Sequence, residues 1–563
     1  MSSVRKRLRP ALKRKYQAAL ETIYDTHDDL QISKLSVLKD PKSNLSTFEK
    51  LVVLIESELG VEDIETEKAL TFNELGGDSL GAALFSMSIE ENFGVSIAAD
   101  VLLSPTGSLK EWAVLIDNIN NESVLSQPTF SSIHGKQVTK IQLKDLSIDR
   151  FINQDLIEKS TLVNSSNHIP KTVLLTGANG FLGHMLCLEW LKTLSKNDGT
   201  LICLIRAKDN SSAYHRLEKE FIGKDSAFEK QFKNLAEKHL VVLSGDISKP
   251  KLGLDIDTYQ RLASTVDRIC HPAAFVNHRL TYQHLFGPNV VGTSEVIKFA
   301  ISDRKKCIDF ISTLGVLSTL DSKNGLNEKA PLKEEVTLSN RYASGYAASK
   351  WAGEYLLHQA HEQFDLPINI VRCDMILADQ QYKGQVNASD MLTRLLYSIV
   401  ITGLAPSSFY QDPSNNLKMK AHYDGIPVDV LTKAIVGLSL QNHNECITYN
   451  ALNYLEDEVS LDSFVDWIES AGYSISRLSG HKEWFDRIQI KLKSLPEAQK
   501  QQSALEVLSA YANPIPIGAY NIGSDNFQEL VKGIESIKSL PHLSESYIHK
   551  YLEDMKILEM AGI

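Results

Sequence analysis

The 563-residue sequence has only six cysteines, and no two of them stand in C-x-x-C spacing. Cys187, Cys203, Cys270, Cys307, Cys373 and Cys446 are scattered, mostly inside apolar runs. That excludes a disulfide framework and a zinc site, assigns no metal, and reads as reduced core thiols of a cytoplasmic protein. No apolar run reaches membrane-spanning length and the N-terminus lacks a signal-peptide apolar region, so a soluble protein with no membrane partner is expected. Positive charge is not in excess: 59 Lys and Arg against 70 Asp and Glu give a net charge of −11, which argues against a general nucleic-acid binder. Internal repeats and low-complexity tracts are lacking as well. What is present is ordinary globular composition, 43% hydrophobic and 23% charged. The length is too great for one core, and roughly two to four domains are expected.

The chain is organised around Lys171-Thr-Val-Leu-Leu-Thr-Gly-Ala-Asn-Gly-Phe-Leu-Gly183. Val173, Leu174 and Leu175 suit a buried parallel strand, and Gly177, Gly180 and Gly183 follow in G-x-x-G-x-x-G spacing before a helical pattern. Such a turn lets a pyrophosphate approach free backbone N–H groups at the positive end of a helix. Glycine spacing alone is weak, but the flanks supply context. A second apolar run, Leu201–Ile205, lies where the second strand of a dinucleotide fold belongs, and it ends in Arg206 instead of an acid. A guanidinium there suits the 2′-phosphate of NADP, with Arg216 close enough in sequence to help; the bland alternative is a pair of surface charges.

Strand and helix then alternate. Val241–Ile247, Arg268–Phe275, Lys306–Thr313 and Ile368–Arg372 read as further strands, which makes a doubly wound parallel α/β sheet the expected fold. Asp246 follows the third strand, where an acid can meet the adenine edge, and the small Ala273 and Ala274 allow close approach of a cofactor. Thr313, preceded by Ser312, closes one strand, and Tyr346-Ala-Ala-Ser-Lys350 lies on the next helical stretch. Residues four apart share a helix face, so phenol and ammonium can point into one cleft, the ammonium lowering the tyrosine pKa. Among nineteen tyrosines, about one should have Lys at that spacing by chance, and only Tyr346 does. Asp374 follows another strand end, as a turn former or a wall of the cofactor pocket, and His271 and His278 read as structural.

Ahead of this, residues 45–121 look like a small helical bundle, with Phe48, Leu51, Val52, Ile55 and Leu59 on one helix face, Leu84, Met87 and Ile89 on another, and Leu109, Trp112 and Ile116 on a last one. Between the first two lies Phe72-Asn-Glu-Leu-Gly-Gly-Asp-Ser-Leu80, which sets Ser79 at a helix start, where a phosphodiester or a plain N-cap would each be at home. The basic start, Arg5–Arg9 and Lys13–Lys15, fits a helix with Leu12, Tyr16, Leu20 and Tyr24 on its apolar side better than a nucleic-acid arm. Residues 121–168 are polar with isolated apolar positions and read as a linker; from Gln441 the pattern is mainly helical.

The Leu-Gly-Gly-Asp-Ser-Leu stretch resembles the phosphopantetheine attachment site of carrier proteins, which implies a four-helix carrier at 41–120 with 4′-phosphopantetheine on Ser79, installed by a phosphopantetheinyl transferase. The second part resembles the extended short-chain dehydrogenase/reductase superfamily, with Thr313, Tyr346 and Lys350 in the places of its catalytic triad and Ser312 as the fallback. Together they resemble the carrier and thioester reductase domains of carboxylic acid reductases, a likeness strengthened by Pro128–Gly135, Asn289–Thr293, Arg372–Ile376 and His422–Val428. The resemblance implies an NADP-binding Rossmann reductase at 169–440, with Thr176, Gly177, Asn179, Gly180, Phe181, Leu182, Gly183, Arg206, Arg216, Asp246, Ile247, Ala273, Ala274, Tyr346 and Lys350 around the cofactor, and a substrate-binding cap at 441–563. It implies an acyl thioester on Ser79 reduced to an aldehyde by NADPH, Tyr346 giving the proton, Thr313 sharing the oxyanion, and Lys350 tuning Tyr346 and holding the nicotinamide ribose. An adenylation domain is the expected partner: residues 1–40 resemble its tail, but no Ser/Thr/Gly-rich AMP-binding loop precedes the carrier. The alternatives are a terminal reductase of a nonribosomal peptide synthetase or a 2-aminoadipate reductase, then a nucleotide-sugar epimerase or dehydratase, or a non-catalytic scaffold.

Overall fold

A computed structural model describes residues 45–560, apart from short internal stretches of which 161–168 and 412–420 are the longest. The expected adenylation-domain tail at 1–40 lies outside the described residues. The chain divides into two compact units, 1–127 and 128–563.

In the first unit the described helices are α1 (Thr47–Leu59), α2 (Ser79–Phe93), the short α3 (Ala99–Leu102) and α4 (Leu109–Asn120). A capping box starts α1: the Ser46 side chain accepts from Glu49 N–H at 3.2 Å and the Glu49 carboxylate accepts from Ser46 N–H at 2.8 Å. Phe72, Phe85 and Trp112 form an aromatic core with centroids 5.7–6.3 Å apart. Gly77 leaves room for it, since a Cβ there would lie 2.0 Å from the Phe72 ring. The expected apolar face of α2 is corrected. Leu84 and Met87 are 48% and 55% exposed, whereas Ala82, Phe85 and Ile89 are buried. The aromatic pair fixes the helix's rotation, because Phe85 offers more area to Trp112 than either displaced side chain would.

The second unit is built on seven parallel strands: β1 (Thr172–Thr176), β2 (Thr200–Ile205), β3 (Leu240–Ser244), β4 (Arg268–His271), β5 (Cys307–Thr313), β6 (Ile368–Cys373) and β7 (Cys446–Ala451). Their order across the sheet is β7-β6-β5-β4-β1-β2-β3, so the chain runs outward from β1 to one edge and then returns to build the other. Both faces are covered, and alternate side chains feed two cores: Leu174, Ile269, Ile308 and Ile370 lie in one, Val173, Cys270, Ile311 and Val371 in the other.

Two expected boundaries shift. Residues 128–160, read as linker, are part of this unit. Phe130, Ile133, Ile141, Leu146, Ile148 and Phe151 are buried in the first core, and Lys140–Gln142 pairs antiparallel with Glu335–Thr337. The isolated apolar residues of that stretch are spaced irregularly because they come from short turns that each lend one or two side chains. The rest of the expected linker, 121–126 and 161–168, lies outside the described residues. The sheet also runs past residue 440, since β7 pairs with β6 from Cys446↔Ile368 to Ala451↔Cys373. The helical cap has its own core, drawn from two chain segments: Leu392, Leu395 and Leu396 from the first, and Phe464, Trp484, Leu492, Tyr511 and Tyr551 from the second.

Candidate active site

The glycine turn follows β1 directly. Gly177 has φ +64° and lies so close to Ala273 that a Cβ would come within 2.8 Å of its Cα; a Cβ on Gly183 would come 1.9 Å from the Gly177 carbonyl oxygen. Gly177 and Gly183 therefore close the turn on itself. Gly180 stands at the N-cap of α5 (Phe181–Leu194), where no side chain makes a capping hydrogen bond. Such an uncapped helix start, with its N–H groups and positive end free of side-chain competition, fits a pyrophosphate. Beneath it, Thr176 Oγ1 lies 2.8 Å from His271 Nδ1, and burial together with the Lys350 charge holds that imidazole neutral, its pKa pulled down to about 3. His271 is thus a strut, in keeping with its structural reading.

At the end of β2, the Arg216 guanidinium reaches across from α6 (Asn210–Glu218) and donates to the Arg206 carbonyl. Burial and the Arg206 charge both lower the Arg216 pKa, so two cations crowd one spot. Like charges brought together at a sheet's carboxyl edge fit a dianionic phosphate. Asp246 is buried, and its carboxylate accepts from Ser248 N–H at 3.0 Å and Ser248 O–H at 2.7 Å. Ile247 leans on Gly292, which opens α7 (Gly292–Ile301): a Cβ on that glycine would lie 3.1 Å from Ile247 Cδ1.

The register of β5 separates the two hydroxyls. Ser312 is buried and donates to Glu354 Oε1 at 2.5 Å, while Thr313 is partly exposed at the strand end, its Oγ1 accepting from Gly315 N–H at 3.1 Å. Ser312, the fallback, is thus engaged inside the sheet, and Thr313 is the hydroxyl at the strand's end. Tyr346 and Lys350 both lie on α8 (Ser344–Phe364), and Gly315 sits between the two elements: a Cβ on it would lie 3.5 Å from Thr313 and 3.6 Å from Ala347. Lys350 is buried; its ammonium donates to the Ile311 carbonyl at 2.7 Å and sits 4.4 Å from the Phe310 ring centroid and 5.9 Å from that of Tyr346. The expected lowering of the tyrosine pKa is reversed: burial raises the Tyr346 pKa and lowers that of Lys350 to about 7. Desolvation acts on both groups and outweighs their mutual attraction across that distance.

Three residues that sequence reasoning left out of the site support it. Glu354, one turn beyond Lys350, forms a fully buried pair with Arg372 of β6 at 2.7 Å, locking α8, β5 and β6 together. Asn289, in a π-helical turn, accepts from Phe275 N–H at 2.7 Å and donates to Ser349 Oγ at 2.9 Å. Each is a single polar residue in an apolar pattern, and that was the available signal. Asp374 follows β6, and the pairing of Ile376 with Ile426 brings Asp424 beside it. Burial pushes Asp374 up to about 6, and burial with the Asp374 charge pushes Asp424 up to about 7.

The family described as Male sterility protein, a class of NAD-binding domains, matches residues 175–435, and the family described as Phosphopantetheine attachment site matches residues 49–116. The crystal structure of the reductase domain of a nonribosomal peptide synthetase from Mycobacterium tuberculosis superposes with a TM-score of 0.69 at 37% identity, covering 75% of this chain and 100% of that domain. The chain belongs to the family of the reductase domains of nonribosomal peptide synthetases. A carboxylic acid reductase from Mycobacterium marinum is 37% identical over 567 residues, 99% of this chain and 48% of its own length. An isonitrile lipopeptide synthase from Mycobacterium tuberculosis is 37% identical over 519 residues, 89% of this chain and 20% of its own length. The chain thus spans about half the length of one relative and a fifth of the other. The family is one of oxidoreductases of the short-chain dehydrogenase/reductase type. In its first unit Ser79 is the first residue of α2, and the capping role that competed for it belongs to Asp78, whose carboxylate accepts from Gly81 N–H at 2.7 Å. Among the described residues no helix is long and apolar enough to cross a membrane.

Proposed function

We propose that this chain reduces an acyl thioester, carried on phosphopantetheine at Ser79, to an aldehyde with NADPH, as the carrier and reductase portion of a carboxylic acid reductase. The observation that supports the reading is the joining, in one chain, of a phosphopantetheine carrier to a dinucleotide fold in which Thr313 ends β5 and Tyr346 and Lys350 lie on α8, the Lys350 ammonium 5.9 Å from the Tyr346 ring centroid. NADPH, when bound, supplies hydride to the thioester carbon. The glycine turn and the start of α5 hold the pyrophosphate, and Arg206 and Arg216 hold the 2′-phosphate, which their crowded charges favour over the hydroxyl of NAD. Ala273, Ala274 and Ile247 wall the dinucleotide, and Asp246 faces the adenine side with the carboxylate oxygen that Ser248 leaves over.

Tyr346, kept protonated by burial, donates to the carbonyl oxygen and transfers its proton as negative charge develops there. Thr313 accepts one N–H and so has its own hydrogen free for the same oxygen. Lys350, poised near neutrality at about 7, returns a proton to Tyr346 and orients the nicotinamide ribose. The hemithioacetal then releases aldehyde and the free pantetheine thiol. The acyl group reaches Ser79 from an adenylation domain, after a phosphopantetheinyl transferase has installed the arm. Terminal reduction on a nonribosomal peptide synthetase differs only in the acyl group carried, and the likeness to the isonitrile lipopeptide synthase favours it as the second reading.

The test supplies the purified chain with acyl-pantetheine thioesters and NADPH and identifies products by mass spectrometry. Aldehyde formed with NADPH at least about tenfold faster than with NADH is expected. Failure to oxidise NADPH with any of a panel of aliphatic, aromatic and aminoacyl thioesters would overturn the reading.

A further inference from the structure

A cleft of about 300 Å³ opens beside the start of α5, and the chemistry assigned so far touches it only at Phe181. Phe181, the first residue of α5, forms one wall, Glu220 and Lys224 beyond the end of α6 form a second, and the loop at Val386 and Asn387 closes a third together with Leu558. The frame is fixed. His184 lies 3.0 Å from the Gly180 carbonyl and 2.9 Å from Gln385 Oε1, which ties the loop to the glycine turn, and Gly384 N–H donates to Asp554 of the helix Glu545–Ile557 at 2.8 Å. Gly384 has φ +67° and lets the Lys224 stem pass, since a Cβ there would lie 3.0 Å from Lys224 Cβ. A preformed cleft of this size suits a small ligand.

Its polar groups have capacity left over. The Lys224 side chain is 25% exposed; among the described residues its ammonium donates no hydrogen bond, and its one ion pair, with Glu220, is 4.0 Å long. Burial raises the Glu220 pKa, which loosens that hold. On the facing loop Asn387 Oδ1 accepts from Ser389 N–H at 3.2 Å and Ser389 O–H at 2.8 Å, while the Asn387 amide N–H groups meet no acceptor among the described residues. Phe181, Val386 and Leu558 supply apolar surface beside them. One cation, one amide donor and a compact apolar wall together fit an anion with a short branched hydrocarbon next to it.

We propose that this cleft receives the phosphopantoyl end of the phosphopantetheine arm: Lys224 meets the phosphodiester, Phe181, Val386 and Leu558 pack on the paired methyl groups beside it, and Asn387 donates to the carbonyl that follows. This rests on the thioester-reductase reading. The reach of the arm agrees with it. From phosphorus to sulfur the arm has roughly thirteen bonds, an extended span of about 15 Å. The end of β1, where the turn into α5 starts, lies two strand steps from the end of β5, about 10 Å. The sulfur can therefore reach Thr313 and Tyr346 while the phosphate stays on Lys224. NADPH also carries phosphate to this edge of the sheet, and the two sources are told apart by which ligand each variant loses.

The full chain, kept from any phosphopantetheinyl transferase so that its own arm does not compete, is compared with Lys224→Met, Lys224→Arg and Asn387→Ala on three thioesters of one acyl group. Acyl-4′-phosphopantetheine has the whole arm, acyl-pantetheine lacks only the phosphate, and the N-acetylcysteamine thioester lacks the pantoyl group as well. The parent should show a KM about tenfold lower for the first than for the second. Lys224→Met should remove that difference and Lys224→Arg should keep most of it. Asn387→Ala should raise KM about threefold for the first two and leave the third unchanged. The Kd for NADPH should stay within about twofold in every variant. Equal KM values for the first two thioesters in the parent, an equal loss on all three in Lys224→Met, or weakened NADPH binding would overturn the assignment. Calorimetric titration with 4′-phosphopantetheine, which needs no turnover, separates the cleft from the reading beneath it. If Lys224→Met weakens that binding about tenfold while the parent reduces none of the thioesters, the thioester reading falls and the cleft keeps its ligand. If the binding is unchanged, the cleft assignment falls.

Discussion

Two helices of this chain begin at glycine-rich turns suited to phosphate, and they are finished differently. In the carrier unit, α2 is capped by the Asp78 carboxylate at 2.7 Å, and Ser79 stands one position inside the cap. In the reductase unit, α5 begins at Gly180 with no side-chain cap. An acidic cap competes with an anion for the helix N–H groups, so a phosphate at α2 has to be held by a covalent bond. An uncapped start leaves those groups to a ligand that comes and goes. On the proposed function, the same local device serves a permanent attachment in one unit and an exchangeable cofactor in the other, and one side chain makes the difference.

Ser79→Ala should break the carrier side outright. Phosphopantetheinylation, read as the mass added by a transferase and coenzyme A, should vanish, while reduction of soluble acyl-pantetheine should stay within about twofold of the parent. Gly183→Ala should break the reductase side, since the added Cβ would collide with the Gly177 carbonyl. Loss of more than about 3 kcal/mol of stability in urea unfolding, together with loss of NADPH binding, is expected.

Replacing Arg206 and Arg216 by Ala sharpens the comparison by separating the 2′-phosphate from the pyrophosphate. NADPH affinity should fall about 100-fold by fluorescence titration while NADH affinity changes little. His184, one turn into α5 and bonded to Gly180, is held at about 4 by burial, against an ordinary value of 6.5. The unfolded chain takes up this proton below pH 6.5 and the folded chain does not, so its contribution is complete above that pH and is lost as pH falls toward 4. That amounts to about 2 kcal/mol between pH 6.5 and 5, a slope that His184→Gln should flatten in denaturant unfolding. Smallest of all, Asp78→Ala should cost the carrier unit about 1 kcal/mol without preventing modification of Ser79.

Most of the sheet was legible because β1, β2 and β3 are short apolar runs followed by glycine or a polar residue, and β5 and β6 keep an apolar centre. β7 was not: Cys446-Ile-Thr-Tyr-Asn-Ala451 is half polar, as an edge strand can be when only one side is paired. Residues 128–160 were misread because their apolar side chains follow neither helical nor strand period. That Tyr346 and Lys350 share a helix and that Thr313 ends a strand was legible from spacing and order, whereas Asn289 and Glu354 depend on partners 14 to 60 positions away, which spacing does not reveal. The Tyr346 pKa was misjudged because the neighbouring charge is visible in sequence and the extent of burial is not.

The burial of Phe130, Ile133 and Ile141 in the reductase core bears on where the gene can be cut. A reductase produced alone from residue 169 would lack these side chains and the short antiparallel pairing at Glu335–Thr337, leaving a greasy trough open to water. A start at or before Pro128 keeps the fold whole, and any shorter version is expected to aggregate before its chemistry can be assayed.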